Sequence, residues 1–242
     1  MIKLEGRTAV VTGSSSGMGA QIAKALAAEG MTVMLAARRA DRLKALAGEI
    51  AAAGGTALIH PADCTVEAEV EALFADAAAR MGAIDLLVNS TGVPQATPLD
   101  QMSLAEWRTV IDANLTSVFL ASREAMRLMK PRGRGRIISI GSVASQSPRL
   151  HAAAYVAAKY GLDGLTRALA LEGRDHGIAA SVLHPGFTVT GFGPDADGQP
   201  GRNAMDPRDI ARIAVLMASL PDEHNLLEAL VLPLGMPFLG RG

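Results

Sequence analysis

Short runs of β-branched and aliphatic residues, each bounded by Gly, Pro or Asp, alternate along this chain with longer stretches of helical periodicity. A strand that is followed by a helix and then by another strand returns to its sheet by crossing over one face. Repeated units of this kind build a parallel sheet covered by helices. The pattern predicts strands near Thr8–Thr12, Thr32–Ala36, Thr56–His60, Ile84–Asn89, Gly135–Ile140, Ala179–His184 and Leu227–Leu232. Helices are predicted over Met18–Glu29, Arg39–Ala53, Val66–Met81, Ser103–Met129, Ala152–His176 and Asp206–Ala218. The fold class is therefore α/β: a single doubly wound, mainly seven-stranded parallel sheet with helices on both faces. A chain of 242 residues suits one domain spanning 1–242. The stretch 188–205, rich in Gly, Asp and Pro, follows a strand's C-terminal end, the edge at which ligands bind in such sheets, and is read as a substrate lid.

Composition narrows the partners. A net charge of -1 creates no global field for nucleic acid or an anionic membrane. The basic run Lys130 to Arg136 reads as a solvated loop before a strand. One cysteine, Cys64, rules out an intramolecular disulfide and a cysteine-rich zinc site, and His151 and His184 lack the spacing of a metal pair, so no metal is expected. With the first predicted strand beginning at Thr8, no leader is expected, and no apolar run reaches the roughly 20 residues that span a bilayer. A cytoplasmic protein is expected.

The first predicted strand runs through Thr12-Gly13-Ser14-Ser15-Ser16-Gly17-Met18-Gly19 straight into a helix. Glycines there let a pyrophosphate approach the backbone, where the free amides and dipole of the helix N-terminus stabilise its charge. A turn of this kind taken alone also serves simply to join a strand to a helix. Farther along, Tyr155 and Lys159 are four residues apart and share one helix face. A phenol beside an ammonium group can act as acid and base.

The G-x-x-x-G-x-G spacing, taken with Tyr155-Val156-Ala157-Ala158-Lys159, resembles the short-chain dehydrogenase/reductase family over essentially the whole chain, and with it a Rossmann-like fold. The resemblance implies an oxidoreductase whose catalytic residues are Asn114, Ser142, Tyr155 and Lys159. Ser142 would bind the substrate oxygen, Tyr155 would exchange the proton, and Lys159 would assist it while holding the nicotinamide ribose. Asn114 would serve a water relay. Implied cofactor contacts are Gly13, Ser15, Ser16, Gly17, Met18, Gly19, Arg38, Arg39, Asp63, Cys64, Asn89, Ser90, Gly92, Tyr155, Lys159, Pro185, Gly186 and Thr188. Asn89-Ser90-Thr91-Gly92 departs from the family's NNAG at Ser90 and Thr91.

The end of the second strand, Ala36-Ala37-Arg38-Arg39, carries no carboxylate to accept from the adenosine ribose hydroxyls. Arg38 can pair with a 2′-phosphate, which favours NADP(H) over NAD(H). Ser16 stands where many NADP-preferring relatives carry a second basic residue. The reading is hydride transfer between NADP(H) and a ketone or secondary alcohol. A non-catalytic NADP(H)-binding sensor or scaffold and a 3-ketoacyl-thioester reductase remain the alternatives; Arg149 and Arg202 are the candidates for the docking surface of the latter. Val93, Gln95, Ala144, His151, Phe187 and the lid would line the pocket, and their mostly neutral character points to a compact neutral or apolar carbonyl compound. The family resemblance also implies a homotetramer packed through the long middle helices.

Overall fold

The computed structural model describes residues 1–190 and 203–238. Strands β1 (Thr8–Thr12), β2 (Thr32–Ala37), β3 (Thr56–Pro61), β4 (Leu86–Asn89), β5 (Gly135–Ile140), β6 (Ile178–Pro185) and β7 (Glu228–Val231) form one sheet in the order β3-β2-β1-β4-β5-β6-β7. Every neighbouring pair is parallel. Between the strands run α1 (Gly17–Ala28), α2 (Ala40–Ala52), α3 (Glu67–Met81), α4 (Leu104–Ile111), α5 (Ser117–Met129), α6 (Ala153–Gly173) and α7 (Pro207–Ala218). The sheet is parallel with helices on both faces, as the alternation of strands and helices predicted, and Rossmann-like, as the family resemblance implied.

Helices cover both faces, so the central strands read as apolar runs, and β1 and β6 are buried throughout. Successive side chains still alternate between layers. Val11, Leu35, Val88 and Ile138 join Ile22, Leu26, Ile210 and Met217 on the α1/α7 side. Val10, Met34, Leu87 and Ile137 pack with Phe74, Leu120 and Met129 on the α3/α5 side. Strand order reverses between β1 and β4, and crossovers that leave in opposite directions open a crevice at the C-terminal edge of the sheet. At the opposite edge, Asp85 accepts from the Thr8 amide (3.0 Å) and from Arg132 (2.9 Å). Burial works against its charge, but those donors together with Arg134 hold the carboxyl below its ordinary range.

Two predicted elements change. The helix expected over Ser103–Met129 is interrupted by a π turn at Asp112–Thr116. The strand expected from Ile84 begins pairing at Leu86. Much of the lid expected at 188–205, with Arg202, lies outside the described residues; its two ends meet in a bridge between Thr188 and Met205.

Candidate active site

A cavity of about 660 Å³ follows the C-terminal edge of the sheet across β2, β1, β4 and β5. The β1–α1 turn, the ends of β2 and β3 and the loop after β4 line one end; α6, the π turn and the end of β5 line the other. Gly13 adopts φ +67°, and a Cβ there would lie 2.4 Å from the Ser90 carbonyl oxygen, so only glycine lets the turns after β1 and β4 touch. Ser16 caps α1 without a side-chain hydrogen bond, which leaves the first amides of that helix free to meet an anion.

Two arginines flank this end. Arg38 is largely exposed, with its guanidinium 3.9 Å from Asp63. Arg39 reaches back over the turn and donates to the hydroxyls of Ser15 (2.9 Å) and Ser16 (2.9 Å). The place where Ser16 supplies no charge is therefore covered by the Arg39 side chain. Burial tends to raise the Asp63 carboxyl, but the amide and hydroxyl of Thr65 and the charge of Arg38 outweigh it and hold it low. Cys64 also lines the cavity; burial, reinforced by the carboxylates of Asp63 and Glu69, pushes its thiol up to about 12.

At the other end, Tyr155 and Lys159 share the face of α6 that fronts the cavity. Lys159 is buried and donates to the Ile140 carbonyl (2.9 Å) at the end of β5, with its ammonium 5.6 Å from the centre of the Tyr155 ring. The guanidinium of Arg149 lies over the same ring, also at 5.6 Å. Asn114 occupies the middle of the π turn, a widening of the helix that recurs at functional sites. Its amide nitrogen donates to Val93 O (3.0 Å) and to Val110 O (2.9 Å), an acceptor that a regular helical turn would give to a backbone amide. Its Oδ1 is buried without a partner and lies against Gly92. The departures from the family's loop are accommodated: the Thr91 hydroxyl bonds Ser117 (2.8 Å), and Ser117 donates to Ala113 O (2.9 Å), which ties the loop to the π turn.

The cavity lining thus brings together Gly13, Ser15, Ser16, Gly17, Met18, Gly19, Arg38, Arg39, Asp63, Cys64, Ser90, Gly92, Asn114, Tyr155 and Lys159. Others stand back from it. Asn89 is buried and donates to Ser122 and Ser139, a tie between β4, α5 and β5. Ser142 is half-buried next to the lining residue Gly141, and its hydroxyl accepts from the Ala144 amide (3.1 Å). Pro185 and Gly186 lie at the end of β6, where the Gly186 amide donates to Val231 O, and the Thr188 hydroxyl bonds Gly186 O. The sequence reading missed Thr91, Asp112, Ser117, Thr190 and the approach of Arg149 to Tyr155. The four-residue spacing of Ala113 and Ser117 was visible in the sequence; the π turn that uses it was not.

The sequence matches the short chain dehydrogenase family over residues 7–199. It is 39% identical over 186 residues to a D-beta-hydroxybutyrate dehydrogenase of Rhizobium meliloti, covering 76% of this chain and 72% of that one. It is 37% identical over 201 residues to a 3-oxoacyl-(acyl-carrier-protein) reductase of Synechocystis, covering 83% and 81%. The structure superposes on a metagenomic short-chain oxidoreductase in complex with NADP with a TM-score of 0.85, at 38% identity and covering 96% and 98% of the two chains. Among the described residues, no helix is long and apolar enough to cross a membrane, and no cluster of His, Cys, Asp and Glu could hold a metal ion.

Proposed function

The chain belongs to the short-chain dehydrogenase/reductase family, and on that premise we propose that it transfers a hydride between NADP(H) and a ketone or secondary alcohol. The observation that carries the reading is that one cavity is lined by both the Gly13–Gly19 turn and the group Asn114, Tyr155 and Lys159. The residues fit a phosphorylated dinucleotide: free helix amides and two guanidinium groups at one end, and a buried ammonium with an unpartnered amide oxygen at the other. The nicotinamide supplies or accepts the hydride when bound.

The chain's own groups then manage the proton and the charge. Ser142 polarises the carbonyl oxygen, Tyr155 gives it a proton in reduction and removes one in oxidation, and Lys159 supports the phenolate and holds the ribose hydroxyls. Asn114, through its free Oδ1, holds the water that returns the proton. Residues 1–242 act as one catalytic domain with 188–205 as its lid. The protein works as a cytoplasmic homotetramer packed through α4, α5 and α6, which leave Leu104, Phe119 and Leu171 exposed in the single chain.

Arg149 favours a second reading of the substrate, a β-keto acid or its thioester in place of a neutral carbonyl compound, because it sets a cation beside Tyr155. Titration with NADPH and NADH, followed by reduced-nicotinamide absorbance with neutral ketones, β-keto acids and their thioesters, tests both readings. Tighter NADPH binding and turnover of at least one class are expected. Binding without turnover of any would leave the sensor or scaffold.

A further inference from the structure

The spacing that puts Tyr155 and Lys159 on one face of α6 continues for two more steps, to Asp163 and Arg167. The first two groups face the cavity. The second two face a polar cluster behind Ser142, buried at His184 and Ser145 and open to solvent at Gln146 and Arg167, that the chemistry above does not use.

His184, near the end of β6, is at its centre and is fully buried. The Ser142 amide lies 3.2 Å from its Nδ1, and the Ser142 carbonyl oxygen lies 3.1 Å from the same atom; an amide that donates to Nδ1 puts the ring in the Nε2–H tautomer. Nε2 is buried and lies 3.4 Å from Asp163 Oδ1 on α6 and 3.6 Å from Glu228 Oε1 on β7, within reach of their charge but without a hydrogen bond to either. Glu228 is itself held by Gln146 (2.6 Å) and Arg167 (2.7 Å). Ser145 donates to Ser142 O (2.9 Å) with its hydroxyl 3.3 Å from Nδ1. The ring lies flat against the chain after β5: a Cβ at Gly141 would be 2.5 Å from Nδ1. Helix α6 therefore reaches residues 140–142 twice, by the hydrogen bond of Lys159 to Ile140 O and by the approach of Asp163 to His184, whose Nδ1 meets the Ser142 amide.

We propose that His184, oriented by Asp163 and Glu228, is a positioning residue that fixes the Ser142 backbone and so aims the Ser142 hydroxyl at the substrate oxygen. The inference rests on the proposed role of Ser142. Charged groups reach the ring from α6 (Asp163, with Arg167 acting through Glu228) and from β7 (Glu228); β5 and the 143–145 turn present only polar groups.

The test compares His184→Asn, His184→Leu and Asp163→Asn with the wild type, using NADPH and a simple β-keto ester as probe. Asparagine offers an acceptor to the Ser142 amide; leucine offers none. We expect His184→Leu to lower kcat about 10- to 100-fold with the KM for NADPH changed less than about twofold. His184→Asn restores most of that rate, and Asp163→Asn lowers kcat by a smaller factor than His184→Leu with the KM for NADPH likewise unchanged. Equal losses in the leucine and asparagine variants, or a wild-type kcat in Asp163→Asn, would overturn the assignment. Long-range proton–nitrogen spectra of histidine-labelled wild-type protein give a readout free of activity: His184 protonated at Nδ1 near neutral pH refutes the proposal, and the Nε2–H tautomer supports it. Absent turnover of any carbonyl compound therefore counts against the proposed function, while the tautomer still decides the role of His184. If His184→Leu does not fold, Asp163→Asn and the spectra carry the decision.

Discussion

The two ends of the cavity are built on opposite principles. At the β2 end the deciding groups are charged and outside: the Arg38 side chain is 74% exposed, and Arg39 lies over the turn on two serine hydroxyls. At the α6 end they are polar and inside: Lys159, Asn114 and His184 are all at most 4% exposed, and each meets a backbone partner. Exposed charge chooses between ligands at little cost to the fold, because water screens it and replaces it when it is removed. A buried group cannot be exchanged so freely, because no water replaces the hydrogen bond that its partner loses. Selectivity at one end can thus change separately from chemistry at the other.

The sharpest way to break this division is Tyr155→Phe. Turnover should fall by roughly 10²- to 10⁴-fold, the usual weight of a positioned acid and base, while NADPH titration shows nearly wild-type affinity. A parallel loss of cofactor affinity would mean that the two ends are not independent. A smaller effect is expected from Arg38→Asp combined with Arg39→Ala. A carboxylate at the end of β2 should accept from ribose hydroxyls and repel a 2′-phosphate, which shifts the ratio of NADPH to NADH affinity about 10- to 100-fold. The thermal midpoint should hardly move, and a large drop would show that the exposed arginines are structural. The smallest effect concerns Cys64, which lines the exposed end but is itself buried. With the thiol pushed up to about 12, little thiolate exists near pH 8, and labelling by a thiol reagent should run on the order of a thousandfold slower than for a free thiol. Rapid labelling would show that this edge opens.

Much of this was legible beforehand because it depends on local pattern. Strands β1 and β5 fall on their predicted limits, since a parallel sheet covered on both faces makes continuous apolar runs stand out. The glycine turn and the Tyr155/Lys159 spacing are likewise local. The helix expected over 103–129 is present, but the π turn within it was not legible, because it depends on Thr91 and Val93, distant in sequence, meeting Ser117 and Asn114. The weight placed on Arg38 was incomplete for a similar reason: which of two adjacent arginines folds back over the turn is set by side-chain packing.

By itself, the sequence determined the alternation that forces a parallel sheet, the glycine turn at a helix N-terminus, and a helix face bearing Tyr155, Lys159, Asp163 and Arg167. Periodicity and backbone sterics act over a few residues and leave their mark in residue order. Only the tertiary structure decided what that face meets: Ile140 O for Lys159, and His184, which in turn takes the Ser142 amide, for Asp163. Those partners arrive from β5, β6 and β7, and their distances follow from strand order and helix packing, which no local spacing encodes.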